Sequence, residues 1–204
     1  MGFGSGRGRA LPGSRTTLSL GHRPSRGNRQ AGPAGRPRVW HHQARHCPSC
    51  SAPLVLEPVH GRARLRCNAC GFVLYQNPAS AAAGVVLNAC GEILLVRRAI
   101  EPFRDHWALP AGYQELDEGP EETVVREVLE EAGIEAEVLG LLDLLFVRDD
   151  PRKPANVAVF LCRARGGEPC SGREENGAGW FRLDALPQPI GFDNYARILA
   201  RLAR

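Results

Sequence analysis

The stretch GYQELDEGPEETVVREVLEEAGI, residues 112–134, decides the fold of this 204-residue chain. Pro120 suits the first position of a helix, because its missing N–H has no intrahelical partner there. Gly133 suits the left-handed residue that ends a helix. Between these two residues, apolar side chains recur at helical spacing; they are Val124, Val125, Val128, Leu129 and Ala132. The sequence therefore predicts an amphipathic helix that begins at Pro120 and ends before Gly133.

The same helix carries Glu127, Glu130 and Glu131 at positions i, i+3 and i+4. This spacing places three carboxylates on one helix face, where they repel each other unless a cation lies among them. Magnesium prefers oxygen ligands of this kind, and divalent cations neutralise phosphate oxygens in phosphoryl chemistry. Two interpretations follow: a metal site for phosphate chemistry, or an ordinary solvated helix face that is paired with Arg126.

A longer pattern, G-x5-E-x7-R-E-U-x-E-E-x-G-U with U an aliphatic residue, is filled at every specified position. Those positions are Gly112, Glu118, Arg126, Glu127, Val128, Glu130, Glu131, Gly133 and Ile134. In this pattern the chain resembles the Nudix hydrolases. The resemblance implies an α/β fold, namely a Nudix α/β/α sandwich with a mixed sheet.

The resemblance also implies roles for residues of the pattern. Glu127, Glu130 and Glu131 are expected to bind catalytic Mg²⁺ or Mn²⁺, with help from the main-chain carbonyl near Ala111 and Gly112. Glu118 and Arg126 are expected to form a structural ion pair that holds the loop to the helix, and Gly112 and Gly133 are expected to be structural.

The general base of such enzymes can lie in the helix or on a loop much further along the chain. Glu174 and Glu175 precede the segment NGAGWF, which resembles the strand that commonly follows this loop. Glu175 is therefore the candidate base. The alternative is that residues 173–176 form an ordinary polar turn.

Candidate substrate-binding residues lie on both sides of the pattern. Arg98 or its neighbour Arg97 can bind a phosphate through the guanidinium fork. Phe103 or Phe192 can stack on a base. For each of these residues, core packing or a surface ion pair is the competing interpretation.

Two C-x2-C pairs, Cys47 with Cys50 and Cys67 with Cys70, are separated by sixteen residues. This spacing predicts a four-thiolate Zn²⁺ site on a ribbon of short strands. Two disulfides are the alternative, but they require an oxidising compartment, and the sequence does not resemble a secreted protein with a signal peptide. A closed site of four thiolates has no open position for substrate, so the predicted role of zinc is structural.

Composition divides the chain into a tail at residues 1–46, a zinc ribbon at 47–78 and a catalytic domain at 79–204. The tail contains nine arginines and no Asp or Glu, and its Gly, Pro and Ser content predicts disorder. Removing these nine charges from the formal net charge of +4 leaves −5 for the remainder. We therefore expect no nucleic-acid partner for the folded part. The tail itself resembles an organelle transit peptide, a polyanion-binding arm or a non-functional extension.

Periodicity predicts further elements of the catalytic domain. They are a hairpin around 88–91 between apolar runs at 85–87 and 93–96, strands at 138–147 and 157–162 around a polar loop, a strand at 180–181, and a closing helix at 194–202. No apolar run approaches the length of a membrane span, so we expect a cytoplasmic protein without membrane contact, unless the tail directs it to an organelle.

A ribbon, the residues YQNP at 75–78 and the stretch LLVRRAIEPFRDHWALPAGYQE at 94–115 resemble ADP-ribose and FAD pyrophosphatases of the Nudix family. This implies Mg²⁺-dependent hydrolysis of the pyrophosphate bond in a nucleoside diphosphate linked to another group, with release of AMP. Three alternatives stay open: an NADH pyrophosphatase, a hydrolase that removes damaged nucleoside triphosphates, and a non-catalytic regulator that senses ADP-ribose. The SQPWPFPxS stretch that NADH pyrophosphatases carry is absent here. A small-molecule nucleotide is the expected partner, and a homodimer is left open.

Overall fold

The computed structural model describes residues 44–148 and 153–202. The disordered tail that the sequence predicts at residues 1–46 therefore lies almost entirely outside the described residues, as does the centre of the predicted polar loop at 149–152. None of the helices within the described ranges is both long and apolar enough to cross a membrane.

The first module is a small antiparallel sheet with the strand order β1–β2–β3. Its strands are β1 (Leu54–Val59), β2 (Arg62–Cys67) and β3 (Val73–Leu74). His60 and Gly61 connect β1 to β2, and both adopt the positive φ that a tight turn of this kind requires. The sheet brings the cysteine pair that precedes β1 close to the pair at the end of β2.

The second module is built on a mixed sheet in which β10, β5, β4, β9 and β8 are neighbours in that order. Strands β4 and β9 are parallel, and the other neighbours are antiparallel. Short strands β6 and β7 pair with β5 and β4. The bounds are β4 (Ala79–Leu87), β5 (Ile93–Arg98), β6 (Trp107–Ala108), β7 (Ala111–Tyr113), β8 (Glu135–Val147), β9 (Ala155–Gly166) and β10 (Glu175–Phe181).

Helices α1 (Pro120–Ala132) and α2 (Asp193–Leu202) cover opposite faces of this sheet. Successive side chains of a strand point to opposite faces, so each strand contributes to two cores. Buried residues that pack with α1 include Ala82, Val86, Leu94, Val96, Val124 and Val128. Buried residues that pack with α2 include Ala83, Val85, Ile93, Leu95, Ile198 and Leu199. The predicted α/β/α sandwich with a mixed sheet is confirmed.

The predicted bounds of helix α1 are also confirmed. The helix begins at Pro120, and Gly133 caps its end with φ 68° and an N–H that donates to the carbonyl of Leu129. The predicted apolar face is wrong in part, because the Leu129 side chain is 51% exposed. Thr123 is buried instead, since its hydroxyl is satisfied by Glu118 and by a backbone carbonyl.

The predicted hairpin around residues 88–91 is confirmed, because Leu87 pairs with Ile93 and Gly91 adopts positive φ. The strands on each side of the predicted polar loop extend further than their apolar runs. Ala155 and Asn156 were expected in that loop but belong to β9, because their backbones pair with the first two residues of β4. Residues 79–84 are mostly alanine, and their small side chains gave no strand signal.

Candidate active site

A cleft of about 850 Å³ brings together parts of the sheet, helix α1, helix α2 and the loop before β10. Its lining combines an acidic set, an apolar set and two arginines. The acidic set is Glu115, Glu127, Glu130, Glu131, Glu174 and Glu175. The apolar set includes Ala81, Leu109, Val147, Ala155, Val157 and Phe192. The arginines are Arg98 and Arg173.

Arg126 links the loop before α1 to the acidic face of the helix. Its guanidinium donates to the Glu118 carboxylate at 2.6 Å and 3.0 Å and to the Tyr113 carbonyl at 3.0 Å. It also contacts Glu127 at 2.8 Å and Glu130 at 3.2 Å. These hydrogen bonds from Arg126 lower the pKa of Glu118 to about 2. The structure thus contains the ion pair between loop and helix that the sequence predicted.

Glu127 packs directly on the backbone of strand β7. A Cβ atom at Gly112 would lie only 2.0 Å from a carboxylate oxygen of Glu127, so the close approach requires glycine at this position. Burial raises the pKa of Glu127, although the neighbouring Arg126 opposes this shift. The strict glycine of the sequence pattern therefore makes room for one of the predicted metal ligands.

Glu131 and Glu175 face each other although they are far apart in the chain. The backbone N–H of Ala111 donates to the Glu131 carboxylate at 2.9 Å. Burial, and then the negative charge of Glu175, raise the pKa of Glu131 well above its usual range. Glu175 is 7% exposed, and burial raises its pKa also. Arg98 partly offsets the shift of both carboxylates. Glu175 is the first residue of β10 and does not lie in an exposed turn.

The loop before Glu175 is docked on the C-terminal end of α1. The N–H of Gly172 donates to the Glu131 carbonyl at 3.1 Å, and that of Cys170 donates to another carbonyl of this helix end at 3.0 Å. These bonds satisfy carbonyls that have no partner within the helix. A Cβ at Gly172 would lie 2.4 Å from the Glu130 carbonyl oxygen and 2.6 Å from the Glu175 carboxylate. The loop therefore holds Glu175 close to the helix only because residue 172 has no side chain.

The predicted substrate-binding residues occupy different positions. The Arg98 guanidinium lies over the Phe192 ring at 5.5 Å, and both residues line the cleft. Phe103 packs against Phe192, with ring centroids 4.6 Å apart, and is not part of the lining. Arg97 pairs with Asp105 at 3.3 Å and does not line the cleft either. Arg98 and Phe192 are thus the members of this group that can meet a ligand.

Sequence reasoning missed Arg173 and Tyr195, which also line the cleft. Arg173 has a readable signal, because it is the cation that directly precedes the acidic pair before β10. Tyr195 lies three residues after Phe192, and their ring centroids are 5.2 Å apart. Two aromatic residues three positions apart near the start of a predicted helix would have indicated that Tyr195 lies beside Phe192.

The ribbon module has a second cluster of side chains with metal-binding chemistry. The Sγ atoms of Cys47 and Cys70 are 3.6 Å apart, and those of Cys50 and Cys67 are 3.5 Å apart. All four sulfurs lie within 4.8 Å of one another, and none forms a disulfide. A tetrahedral zinc site with bonds of about 2.3 Å has sulfurs roughly 3.8 Å apart. The cluster therefore has nearly the size of a four-thiolate zinc site.

Sequence comparison places the second module in a known family. The profile of the NUDIX domain matches residues 77–202. An ADP-ribose pyrophosphatase of Methanocaldococcus jannaschii is 40% identical over 103 residues, which cover 50% of this chain and 60% of that protein. The human 8-oxo-dGDP phosphatase NUDT18 is 36% identical over 103 residues, which cover 48% of this chain and 30% of that protein. The chain thus spans less than two thirds of the length of both relatives.

Solved structures give a consistent result. A NUDIX hydrolase from Nitrosomonas europaea superposes with a TM-score of 0.71 and 26% identity, covering 78% of this chain and 90% of that one. An ADP-ribose pyrophosphatase from Streptococcus suis has a TM-score of 0.51 and 30% identity, covering 62% and 90%. A match to 78% of 204 residues is longer than residues 77–202, so it includes part of the chain before the family domain.

Proposed function

The chain belongs to the Nudix family, and on this basis we propose that it hydrolyses the pyrophosphate bond of an ADP-containing nucleotide in a metal-dependent reaction that releases AMP. ADP-ribose and FAD are the preferred candidates for the substrate. The convergence of Glu127, Glu131 and Glu175 in one cleft carries this proposal. A sequence pattern explains the first two, and only the fold brings the third to them.

The acidic set fits Mg²⁺ or Mn²⁺. Glu127 and Glu131 are partly buried carboxylates whose pKa values are raised chiefly by burial, so a bound cation would stabilise their ionised forms. Oxygen donors in this number suit a hard divalent cation. Glu127, Glu130 and Glu131 are the proposed ligands, with Glu130 at the exposed rim. When bound, the ion supplies charge neutralisation of the phosphate oxygens and activation of a water molecule.

The proposed role of Glu175 is to accept a proton from the attacking water. A base is most effective when its pKa lies close to the working pH, and burial moves the pKa of Glu175 in that direction. Arg98 provides a positive charge next to this carboxylate and also reaches the cleft lining. Arg126 has a different task, because its guanidinium is fully engaged in holding Glu118, Glu127 and Glu130.

The apolar part of the cleft supports a substrate with a base attached to its phosphates. The Phe192 ring offers a stacking surface, and Arg98 and Arg173 offer guanidinium groups for phosphate. The volume of about 850 Å³ lies in the upper part of the range for small-molecule sites, about 300–1,000 Å³. This size favours a nucleotide with a second group beyond its diphosphate. The names of two relatives, each an ADP-ribose pyrophosphatase, support the same choice.

A substrate panel tests the proposal. ADP-ribose, FAD, NADH, NAD, diadenosine polyphosphates, nucleoside triphosphates and 8-oxo-dGDP are each incubated with Mg²⁺, and products are identified by chromatography and mass. We expect AMP and ribose 5-phosphate from ADP-ribose. Glu131→Gln should abolish turnover, whereas Glu121→Gln, an exposed residue of the same helix, should not. Preferred cleavage of 8-oxo-dGDP would replace the proposed substrate class. Tight ADP-ribose binding without hydrolysis would establish a sensor.

For the ribbon, we propose one structural Zn²⁺ held by Cys47, Cys50, Cys67 and Cys70. Elemental analysis of reduced, freshly purified protein should find about one zinc per chain. Cys67→Ser should lose the metal, whereas Cys90→Ser, an exposed thiol outside the cluster, should retain it. Protein that contains no zinc under these conditions would refute the site. Zinc binding and hydrolysis are separate proposals, and each can fail alone.

A further inference from the structure

The central strand of the ribbon module carries arginines on one face. Arginines alternate along β2 at Arg62, Arg64 and Arg66. Successive side chains of a strand point to opposite faces of the sheet, so these three share one face, at intervals of about 7 Å along the strand. Leu65 and Cys67 point the other way and are buried. The arginines therefore lie on the solvent side of the small sheet.

Strands β1 and β3 add apolar and aromatic side chains to the same face. Val55 lies directly opposite Arg66, which puts both side chains on one side, and it is 45% exposed. The Arg64 guanidinium donates to the Val59 carbonyl and lies 5.0 Å from the ring centroid of Tyr75, the residue after β3. Tyr75 is still 51% exposed, so its ring is accessible to a ligand. We call the surface formed by Val55, Arg62, Arg64, Arg66 and Tyr75 the Arg face.

The Arg face is positive although the folded part of the chain is negative as a whole. Residues 47–78 contain three arginines and one acidic residue, a formal net charge of +2, which leaves −7 for residues 79–204. The acidic residue is Glu57, which pairs with Arg66 at 3.1 Å. Arg62 and Arg64 have no ion-pair partner within the described ranges. The sum of −5, from which we expected no nucleic-acid partner, therefore conceals a basic module.

We propose that the Arg face binds single-stranded nucleic acid, with guanidinium groups on the phosphates and a base stacked on the Tyr75 ring. Proteins bind single strands on open sheets that combine cations with exposed aromatic rings, because every base has a face that can stack. An anionic membrane fits this face less well, since basic residues that bind such membranes occur in clusters of about four to eight. The proposal is independent of the hydrolysis proposed for the second module.

The first test is the binding of labelled oligouridylate and oligothymidylate of about 12 nucleotides to the full chain, measured by fluorescence anisotropy. We expect both strands to bind more tightly than a DNA duplex of the same length, and the tighter of the two identifies RNA or DNA as the source of the ligand. Tyr75→Ala should weaken binding by about fivefold or more, the lower limit for one stacked base, whereas Tyr75→Phe should retain it. A duplex that binds as tightly as the single strands would overturn the proposal.

The second test examines the phosphate contacts. Arg62→Gln should weaken binding and reduce the slope of log K against log salt concentration by about 0.7, the value for one phosphate contact on a single strand. Arg182→Gln removes the same charge from an exposed arginine of the second module and should change neither quantity. The tail arginines are present in every variant, so they cannot cause a difference between variants.

Two further results would overturn the proposal. Unchanged binding in both Arg62→Gln and Tyr75→Ala would show that the nucleic acid is held elsewhere on the chain. Binding of phosphatidylserine vesicles that depends on Arg62, without binding of either oligonucleotide, would identify a membrane as the partner. Zinc content shows whether the ribbon stays folded in Tyr75→Ala; if it does not, Arg62→Gln decides the question, because it changes only an exposed side chain.

Discussion

Gly172→Ala tests whether the position of Glu175 depends on a single missing side chain. The new Cβ atom would lie 2.4 Å from the Glu130 carbonyl oxygen, 2.6 Å from the Glu175 carboxylate and 3.0 Å from the Glu131 Cα. Ordinary van der Waals contact begins at 3.4 Å, so the loop and the helix end must separate by up to about 1 Å. Gly172 is not among the glycines with positive φ, so alanine adds no backbone strain of its own.

A displacement of about 1 Å at a catalytic group can lower a rate by about 100-fold. We therefore expect Gly172→Ala to lower kcat by about this factor with little change in KM, since the apolar part of the cleft is untouched. Gly177→Ala is the matched control in the same strand as Glu175. Its Cβ would meet Arg97 at 3.5 Å and Trp107 at 3.7 Å, which are ordinary contacts, so its kcat should stay near that of the parent chain.

The assay is steady-state hydrolysis of the substrate that the panel identifies, with thermal unfolding measured in parallel. A double-mutant cycle with Glu175→Gln separates positioning from loss of stability. Once Glu175 has lost its function, the further change at residue 172 should cost little. A full additional loss of kcat in the double variant, or an unchanged kcat in Gly172→Ala, would refute the reasoning.

The other predictions concern the pattern residues and the metal. Gly112→Ala should raise the Mg²⁺ concentration required for half-maximal activity, because its Cβ would lie 2.0 Å from a carboxylate oxygen of Glu127; Gly179→Ala, with contacts of 3.4 Å and longer, is the control. Glu118→Gln should lower the stability of the chain above pH 4.5, because Arg126 lowers the pKa of Glu118 from 4.5 to about 2 in the folded state. The stability difference between variant and parent should shrink as the pH falls from about 4.5 to about 2, and thermal unfolding measured against pH tests this. Removal of divalent cations with a chelator should abolish turnover, and excess Mg²⁺ should restore it; turnover that persists in chelator would contradict the metal requirement.

The sequence was sufficient for features that depend on local rules. Helix α1 follows from Pro120, Gly133 and the apolar spacing between them, because caps and periodicity act within a few residues. The sandwich follows from the resemblance that this helix carries. Leu129 was assigned to the core incorrectly, since spacing identifies an apolar stripe but not which edge of it the sheet leaves uncovered.

Features that depend on contacts between residues far apart in the chain were harder to predict from the sequence. Glu175 was a candidate because it precedes a recognisable strand, but its burial against Glu131 depends on the docking of its loop on the end of α1. The apolar lining of the cleft is spread over several strands, and nothing in any one of these segments shows that they meet. Leu141, Leu144 and Phe146 are exposed on strand β8, and their placement depends on a register shift between Leu141 and Asp143 that the sequence does not reveal.

The charge balance of the cleft argues that metal and substrate act on it together. Six glutamates and two arginines line the cleft, so a nucleotide with a charged diphosphate meets mainly carboxylates there. Like charges at close range in a partly dry site repel strongly. On the side of the protein, burial raises the pKa values of Glu127, Glu131 and Glu175, and repulsion from neighbouring carboxylates adds to each shift. A divalent cation relieves both problems, because it neutralises the carboxylates and also attracts the phosphates.

An ADP-ribose sensor would have no need of this arrangement, since arginines alone would bind a diphosphate at lower electrostatic cost. The acidic lining therefore favours an enzyme over a sensor.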